Sequence, residues 1–269
     1  MLVPFQLAGL HPSAHERRPR RGRLGLDRDT MDPRAASFAG GAQAARLPVF
    51  LLLDCSGSMY GTKLASVSAG VTAICETLRG DPRSASTVHM SVIWFNDRAQ
   101  RTKLVPITAF ATPDLQALGL TALGEALTML NDALDRDLIP ARTTPQGMVV
   151  PGDFRPLVYV LTDGQPSDEW QAAAARLRRR TVHVPLHIIG LAIGDDADIN
   201  QITQVATVVL KIDGDLRDRL RDYFDWVAES VIQAVEQQRG QQSPAGERDT
   251  LALPPVPKTI SLSRSALDL

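Results

Sequence analysis

The sequence predicts an α/β fold: a doubly wound, mostly parallel central sheet with helices on both faces and one antiparallel edge strand. Three observations carry this expectation. Between residues 47 and 236, short apolar or β-branched runs alternate with longer segments of helical spacing, the pattern of successive βαβ units. Two of the runs, PVFLLLD (Pro48–Asp54) and PLVYVLT (Pro156–Thr162), are apolar on both faces, as strands buried in the middle of a sheet must be. The 269-residue chain is 44 % hydrophobic and 22 % charged, enough apolar side chain for a full core.

The elements follow in order. Pro48–Asp54 is the first strand and ends in a carboxylate. Thr62–Arg79 has Leu64, Val67, Val71, Ile74 and Leu78 at helical spacing, and Gly80-Asp81-Pro82 stops that helix. Thr87–Asn96, β-branched and aromatic, reads as a strand, with Arg101–Pro106 as its antiparallel partner across a turn near Asp97. Ala122–Leu134 reads as a second helix, and the Pro- and Gly-containing stretch Leu138–Arg155 as a loop. Pro156–Thr162 is a strand followed by Asp163. Ser167–Arg180 is expected as a helix capped by Ser167, with Asp168 and Glu169 at its positive end. Pro185–Ile193 and Val205–Ile212 are strands on either side of a short helix at Ala197–Thr203, and Asp215–Gln238 closes the series as a long helix.

The ends differ from the middle. Residues 1–46 lack either period and carry Arg17, Arg18, Arg20, Arg21 and Arg23, so a disordered basic arm is expected there. Residues 239–269 are polar with a PPVP patch and are expected to form a flexible Pro-containing tail. The charges at the start come after the apolar stretch, the wrong order for a signal peptide, and Met31 is a second candidate first residue. Two cysteines form no disulfide framework or zinc spacing, which makes a cytoplasmic location the expectation. A net charge of -1 gives no electrostatic reason to expect a nucleic-acid partner, and no apolar run is long enough for a membrane span.

The chemistry concentrates at two strand ends. After the first strand comes Asp54-Cys55-Ser56-Gly57-Ser58-Met59, with three oxygen side chains at alternate positions around a glycine. Carboxylate and hydroxyl oxygens are hard ligands suited to Mg²⁺ or Mn²⁺. Mg²⁺ takes about six oxygens, so one loop is too few. Thr121, ahead of the second helix, and Asp163 are the further candidates, since ligand sites in such sheets lie beyond the carboxyl ends of the strands.

DCSGSM after an apolar strand, a Thr opening the next helix and TDG after a later apolar strand together resemble the metal-ion-dependent adhesion site of von Willebrand factor A domains over about residues 47–236. The segments LLLDCSGSMYG, TALGEAL and VYVLTDGQPSDEW are most similar to the bacterial TerY-like group of tellurium-resistance and stress clusters. The resemblance implies that Ser56, Ser58 and Thr121 ligate Mg²⁺ (or Mn²⁺) through hydroxyls. Asp54 and Asp163 would ligate directly or through water. One position stays open for an Asp or Glu of a protein partner. It also implies a cytoplasmic stress-response context, with a kinase or phosphatase of the same cluster as a candidate partner.

Other residues offer less. Cys55 reads as core-facing and Cys75 as a small apolar helix residue. Asp195, Asp196 and Asp198 lack the spacing of an EF-hand loop and read, like Asp213 and Asp215, as turn and cap residues. His183 and His187 straddle Pro185, which rules out a shared helical face for zinc. Arg176, Arg178, Arg179 and Arg180 form a basic helix end, suited to the helix dipole or to an acidic partner. The expected function is a non-enzymatic, metal-dependent interaction module. Two alternatives stay open: a Mg²⁺-dependent phosphohydrolase using Asp54, or the metal-site subunit of an ATP-driven chelatase-like complex. No phosphate-binding GxxxxGK[ST] loop, GxSxG elbow or HExxH helix is present in the sequence. Lys63 and Lys103 have no evident place in a phosphate site.

Overall fold

The computed structural model describes residues 45–183, 186–195, 197–240 and 252–264. Strands β1 (Leu47–Asp54), β2 (Val88–Phe95), β3 (Ala99–Arg101), β4 (Val105–Pro106), β7 (Leu157–Thr162), β8 (His187–Ile193), β9 (Val208–Ile212) and β10 (Ser261–Arg264) form one sheet. A separate two-residue pairing, β5 (Arg142–Thr143) with β6 (Val149–Val150), lies within the stretch expected as a loop. The helices are α1 (Thr62–Gly80), α2 (Pro82–Thr87), α3 (Leu123–Arg136), α4 (Gln171–His183), α5 (Ile199–Ile202) and α6 (Leu216–Gly240).

The sheet order is β10-β9-β8-β7-β1-β2-β3, with β4 also on β2. The five strands from β9 to β2 are parallel, and β3 and β4 run antiparallel to β2, the expected edge. From β1 the chain first builds to one side, through β2, and then returns to build β7, β8 and β9 on the other. The order therefore reverses between β1 and β7, and their carboxyl ends lie side by side, Leu53 opposite Leu161. A crevice at such a switch point is where this architecture places ligands.

Strand alternation divides the core into two layers. Leu47, Val49, Leu51 and Leu53 of β1 face a cluster with α1 and α6, through Val67, Val71, Tyr223, Trp226 and Val227. Phe50 and Leu52 face the other, with α3 and α4, through Leu127, Leu130, Ala174 and Leu177. That is why β1 reads as continuously apolar: neither of its faces meets water.

Three local expectations change. Gly80-Asp81-Pro82 stops α1 and also starts α2: Asp81 accepts from Ser84 N at 2.7 Å, with Pro82 opening the helix. The helix expected from Ser167 begins at Gln171, because Ser167 and Asp168 are bonded elsewhere. The third concerns the tail. Residues 252–264 are packed on the domain. Trp226 Nε1 donates to Pro254 O at 3.0 Å, Gln237 bonds both Ala252 O (2.8 Å) and Ala252 N (3.2 Å), and Thr259 Oγ1 donates to Asp222 Oδ2 at 2.8 Å. Ile260 joins the core, Leu253 and Val256 lie against it, and β10 pairs antiparallel with β9. The strap is too short to show a period. It covers what would otherwise be an open edge of the sheet and a buried indole N–H. The basic arm expected over 1–46 lies outside the described residues except for Ala45 and Arg46, as do Asp196 and the remainder of the 239–269 tail beyond Gly240.

Candidate metal centre

Asp54 closes β1 at the switch point and is fully buried. Its Oδ2 accepts from Thr162 Oγ1 at 2.6 Å, across the β1–β7 pairing, and its Oδ1 accepts from Ser56 N at 2.8 Å. Burial pushes its pKa above the usual carboxylate range. The hydrogen bonds from Thr162 and Ser56 oppose that shift, and the negative charge of Asp163 adds to it. The chain then makes a single 3₁₀ turn, Gly57–Met59, which sets Ser56 Oγ 3.0 Å from Ser58 Oγ. Ser58 Oγ donates to Asp163 Oδ1 at 2.6 Å, and Lys63 Nζ donates to Asp163 Oδ2.

Thr121 enters from a third loop. It is buried, and Ser167 grips its backbone from both sides: Thr121 N donates to Ser167 Oγ at 3.0 Å, and Ser167 N donates to Thr121 O at 2.9 Å. A β-carbon at Gly164 would stand 3.6 Å from Thr121 Oγ1 and 3.7 Å from Ser58 Oγ, so both hydroxyls border one spot. The preceding residues tie this loop to the first. Gly57 N donates to Gly119 O at 3.1 Å, and Leu118 N to Cys55 O at 3.0 Å. Gly119 has φ +69°, and a β-carbon there would collide with the Asp97 carboxylate, whose Oδ1 accepts from Leu120 N at 2.8 Å. Asp168 caps α3, accepting from Gly124 N (2.9 Å) and Glu125 N (3.0 Å); a β-carbon at Gly124 would stand 2.5 Å from Glu169 O.

The five residues singled out in the sequence therefore share one place. Asp54, Ser56, Ser58 and Asp163 are linked through Thr162 and backbone into one hydrogen-bonded group, and Thr121 borders it. Sequence reasoning missed Thr162, Lys63, Ser167 and Asp168. The sequence places Ser167 and Asp168 at the start of their own helix, whereas they hold the Thr121 loop and the start of α3. Lys63 does have a place, on Asp163. The signal for it is a cation in the first turn of a helix, where the positive end disfavours one.

The donor set suits a hard divalent cation: two carboxylates and three hydroxyls, with no imidazole or thiolate among them. Among the described residues, no group of three or more His, Cys, Asp or Glu is placed to hold a metal. Hydroxyl ligands are thus what such a site would depend on here. Cys55 is buried in the core, where burial pushes its thiol up to about 12. Around the mouth, Tyr60 (81 % exposed), Leu118 (47 %) and Leu120 (63 %) present large apolar side chains to water.

The other candidates resolve into structural roles. Asp198 caps α5 through Asn200 N at 2.9 Å, Asp215 accepts from Arg217 N at 3.2 Å at the start of α6, and Asp213 pairs with Arg219 at 3.0 Å. Arg176 bonds Asp132 (3.2 Å) and Asp135 (2.7 Å), Arg180 bonds Asp135, and Arg178 bonds Gln204 O (3.0 Å), so the basic helix end is held by α3 and a neighbouring loop. His187 lies 3.3 Å from Arg155, a cationic neighbour unsuited to a metal ligand, and the side chain of His183 lies outside the described residues.

A family model, that of the von Willebrand factor type A domain, matches residues 49–222. No curated protein matches the chain. Solved structures share the fold. A von Willebrand factor type A protein from Catenulispora acidiphila superposes with a TM-score of 0.52 at 19 % identity, covering 71 % of this chain and 43 % of that one. The pilus adhesin SpaC from Lactobacillus rhamnosus GG, in its open conformation, gives 0.55 at 15 % identity, covering 70 % and 30 %. The vWF domain of the type V pili tip protein Mfa5 from Porphyromonas gingivalis gives 0.52 at 11 % identity, covering 75 % and 98 %. The chain thus spans less than half the length of the first two.

Proposed function

Because the chain belongs to the von Willebrand factor type A domain family, we propose that it is a protein-interaction module whose contact is completed by a divalent metal. The observation that carries this reading is the convergence of Asp54, Ser56, Ser58, Thr121 and Asp163 at the switch point of the sheet. Domains of this family are generally interaction or adhesion modules rather than enzymes. In the proposed role Ser56, Ser58 and Thr121 offer hydroxyl oxygens, and Asp54 and Asp163 supply the negative charge. The metal, Mg²⁺ or Mn²⁺, supplies a Lewis-acidic position for an Asp or Glu of the partner. Tyr60, Leu118 and Leu120 give that carboxylate an apolar surround, so the fitting partner is a protein segment with an acidic residue flanked by apolar side chains.

Asp54 is poorly suited to be a phosphohydrolase nucleophile. It is fully buried, and both of its oxygens accept hydrogen bonds. The assignment to a bacterial tellurite-resistance or stress system in the cytoplasm is the finer part of the proposal and rests on the loop motifs alone.

Mn²⁺ titration of wild type and Asp54→Asn by calorimetry tests the reading. Wild type is expected to bind one ion with roughly micromolar to millimolar affinity, and the Asn variant none. Equal binding by both would overturn it. Pull-down from the native cell, with and without Mg²⁺, then tests whether partner capture needs the metal.

A further inference from the structure

The charges at the metal centre are arranged asymmetrically. Asp163 accepts from Ser58 Oγ on one oxygen and from Lys63 Nζ on the other. Asp54 accepts only from neutral donors, Thr162 Oγ1 and Ser56 N. Two buried carboxylates therefore share one monovalent cation, half the charge that a divalent ion would bring. The partners of the ion pair also differ in freedom. The Asp163 side chain is 1 % exposed and fixed between a strand end and a turn. The Lys63 side chain is 27 % exposed, on a four-carbon stem that reaches water.

Lys63 also stands where its own helix does not favour it. It is the second residue of α1, at the end where free N–H groups make the helix positive, and no acidic residue occupies that turn. What holds the ammonium there is Asp163, from the far side of the sheet's switch point. A residue that contradicts its local element and is held by a candidate ligand is a sign of a role at the site.

We infer that Lys63 is an internal competitor for the metal: its ammonium neutralises Asp163 in the metal-free protein and withdraws to solvent when a divalent cation takes that carboxylate. This rests on the metal-binding reading above. The exchange keeps the empty centre close to charge balance. It also makes metal binding weaker than the ligand set alone would give, because each ion must displace a salt bridge. On loading it releases a positive charge three residues from exposed Tyr60, on the side an acidic partner approaches. The opposite role would be support, with Lys63 staying on Asp163 Oδ2 to orient Oδ1 towards the metal. The two roles differ in the sign of one measurement.

The test is Mn²⁺ calorimetry on the full chain at neutral pH, with thermal melts in EDTA and in saturating Mn²⁺, for wild type, Lys63→Met, Lys63→Gln and Lys63→Arg. Lys63→Met is expected to bind Mn²⁺ about tenfold more tightly or better. It should melt below wild type in EDTA and close to wild type in Mn²⁺. Lys63→Arg, which keeps the cation, should stay within about threefold of wild type. Lys63→Gln, which keeps a donor without the charge, should also bind more tightly and covers the case in which the Met variant does not fold. Unchanged or weaker Mn²⁺ binding by the neutral variants overturns the inference and leaves the metal site standing. Absence of Mn²⁺ binding by wild type overturns the metal reading itself, and this inference with it.

Discussion

The two ends of the central sheet treat buried charge in opposite ways. At the amino end, Arg46 precedes β1 and grips Asp153 with two parallel bonds, Nε to Oδ1 at 2.7 Å and Nη2 to Oδ2 at 2.5 Å. Nη2 also reaches Asp137 O at 2.9 Å, and Asp153 Oδ2 accepts from Ile139 N at 2.8 Å. Both Asp153 oxygens are paired by a rigid guanidinium fork, and Asp153 holds the Arg46 pKa above its ordinary value. At the carboxyl end the cation is a flexible lysine, one carboxylate has no cation, and the other side-chain contacts are made by hydroxyls. The first arrangement closes the end of a sheet. The second keeps an end ready for something else, and the same sheet can support it only because β1 and β7 are locked everywhere beneath.

The sharpest way to break this comparison is Arg46→Ala. It strands a nearly buried carboxylate, which typically costs about 3–5 kcal/mol. Urea unfolding should show the loss, while calorimetry should find Mn²⁺ affinity unchanged. A matching fall in affinity would mean that the two ends are not separable. Removing residues 252–264 is the next largest change. It takes Ile260 out of the core, strips away Leu253 and Val256 that lie against it, and opens the edge of β9. A loss of about 2–4 kcal/mol, or roughly 5–15 °C in Tm, is expected, again with metal binding intact.

That strap marks where the sequence stopped being legible. The parallel core was readable because β1 and β7 carry an unbroken apolar run, and the helices because their apolar spacing repeats over several turns. The five candidate ligands were readable because three separate motifs each fell on a strand end or helix start. PPVP and Ile260 have no such repetition. Their partners, Trp226 and β9, lie 28 or more residues away in sequence. The segment Ser167-Asp168 misleads for a related reason. A Ser and an Asp before a helical run fit a local cap, and only the fold shows that they serve Thr121 and α3 instead. Thr162 leaves no local mark of a partner 108 residues distant, and the one local mark of Lys63, a cation in the first turn of a helix, does not say which carboxylate holds it.

A smaller effect should appear at the amino end under acid. His187 opens β8 beside Arg155, and burial first, then that guanidinium, lowers its pKa to about 4. An imidazole depressed in the fold takes up its proton more readily when unfolded. Its contribution is therefore complete above about pH 6.5 and is lost as pH falls towards about 4. With solvent screening allowed for, the loss is about 1–2 kcal/mol. Melting curves of wild type and His187→Gln should converge above neutrality and separate in acid, with the variant the less acid-sensitive. Parallel curves would show that the ring titrates alike in both states.

The smallest expected change in stability should have a clear effect on the metal. Asp168 touches none of the candidate ligands. Its two oxygens cap the first N–H groups of α3, and Ser167 beside it holds the Thr121 backbone. Asp168→Ala removes a cap worth about 1 kcal/mol, since the other helix contacts, from Leu123 to Leu134, are untouched. The end of α3 then loosens where it joins Thr121, and a hydroxyl ligand must be held within about half an ångström to contribute fully. Mn²⁺ affinity should fall several-fold while the urea midpoint barely moves. Arg46→Ala should do the reverse, and measuring both proteins side by side separates the end that holds the sheet together from the end proposed to hold an ion. If Asp168→Ala lowers stability and leaves affinity alone, Thr121 is positioned by its own packing, and the Ser167-Asp168 clamp belongs with the structural pairs.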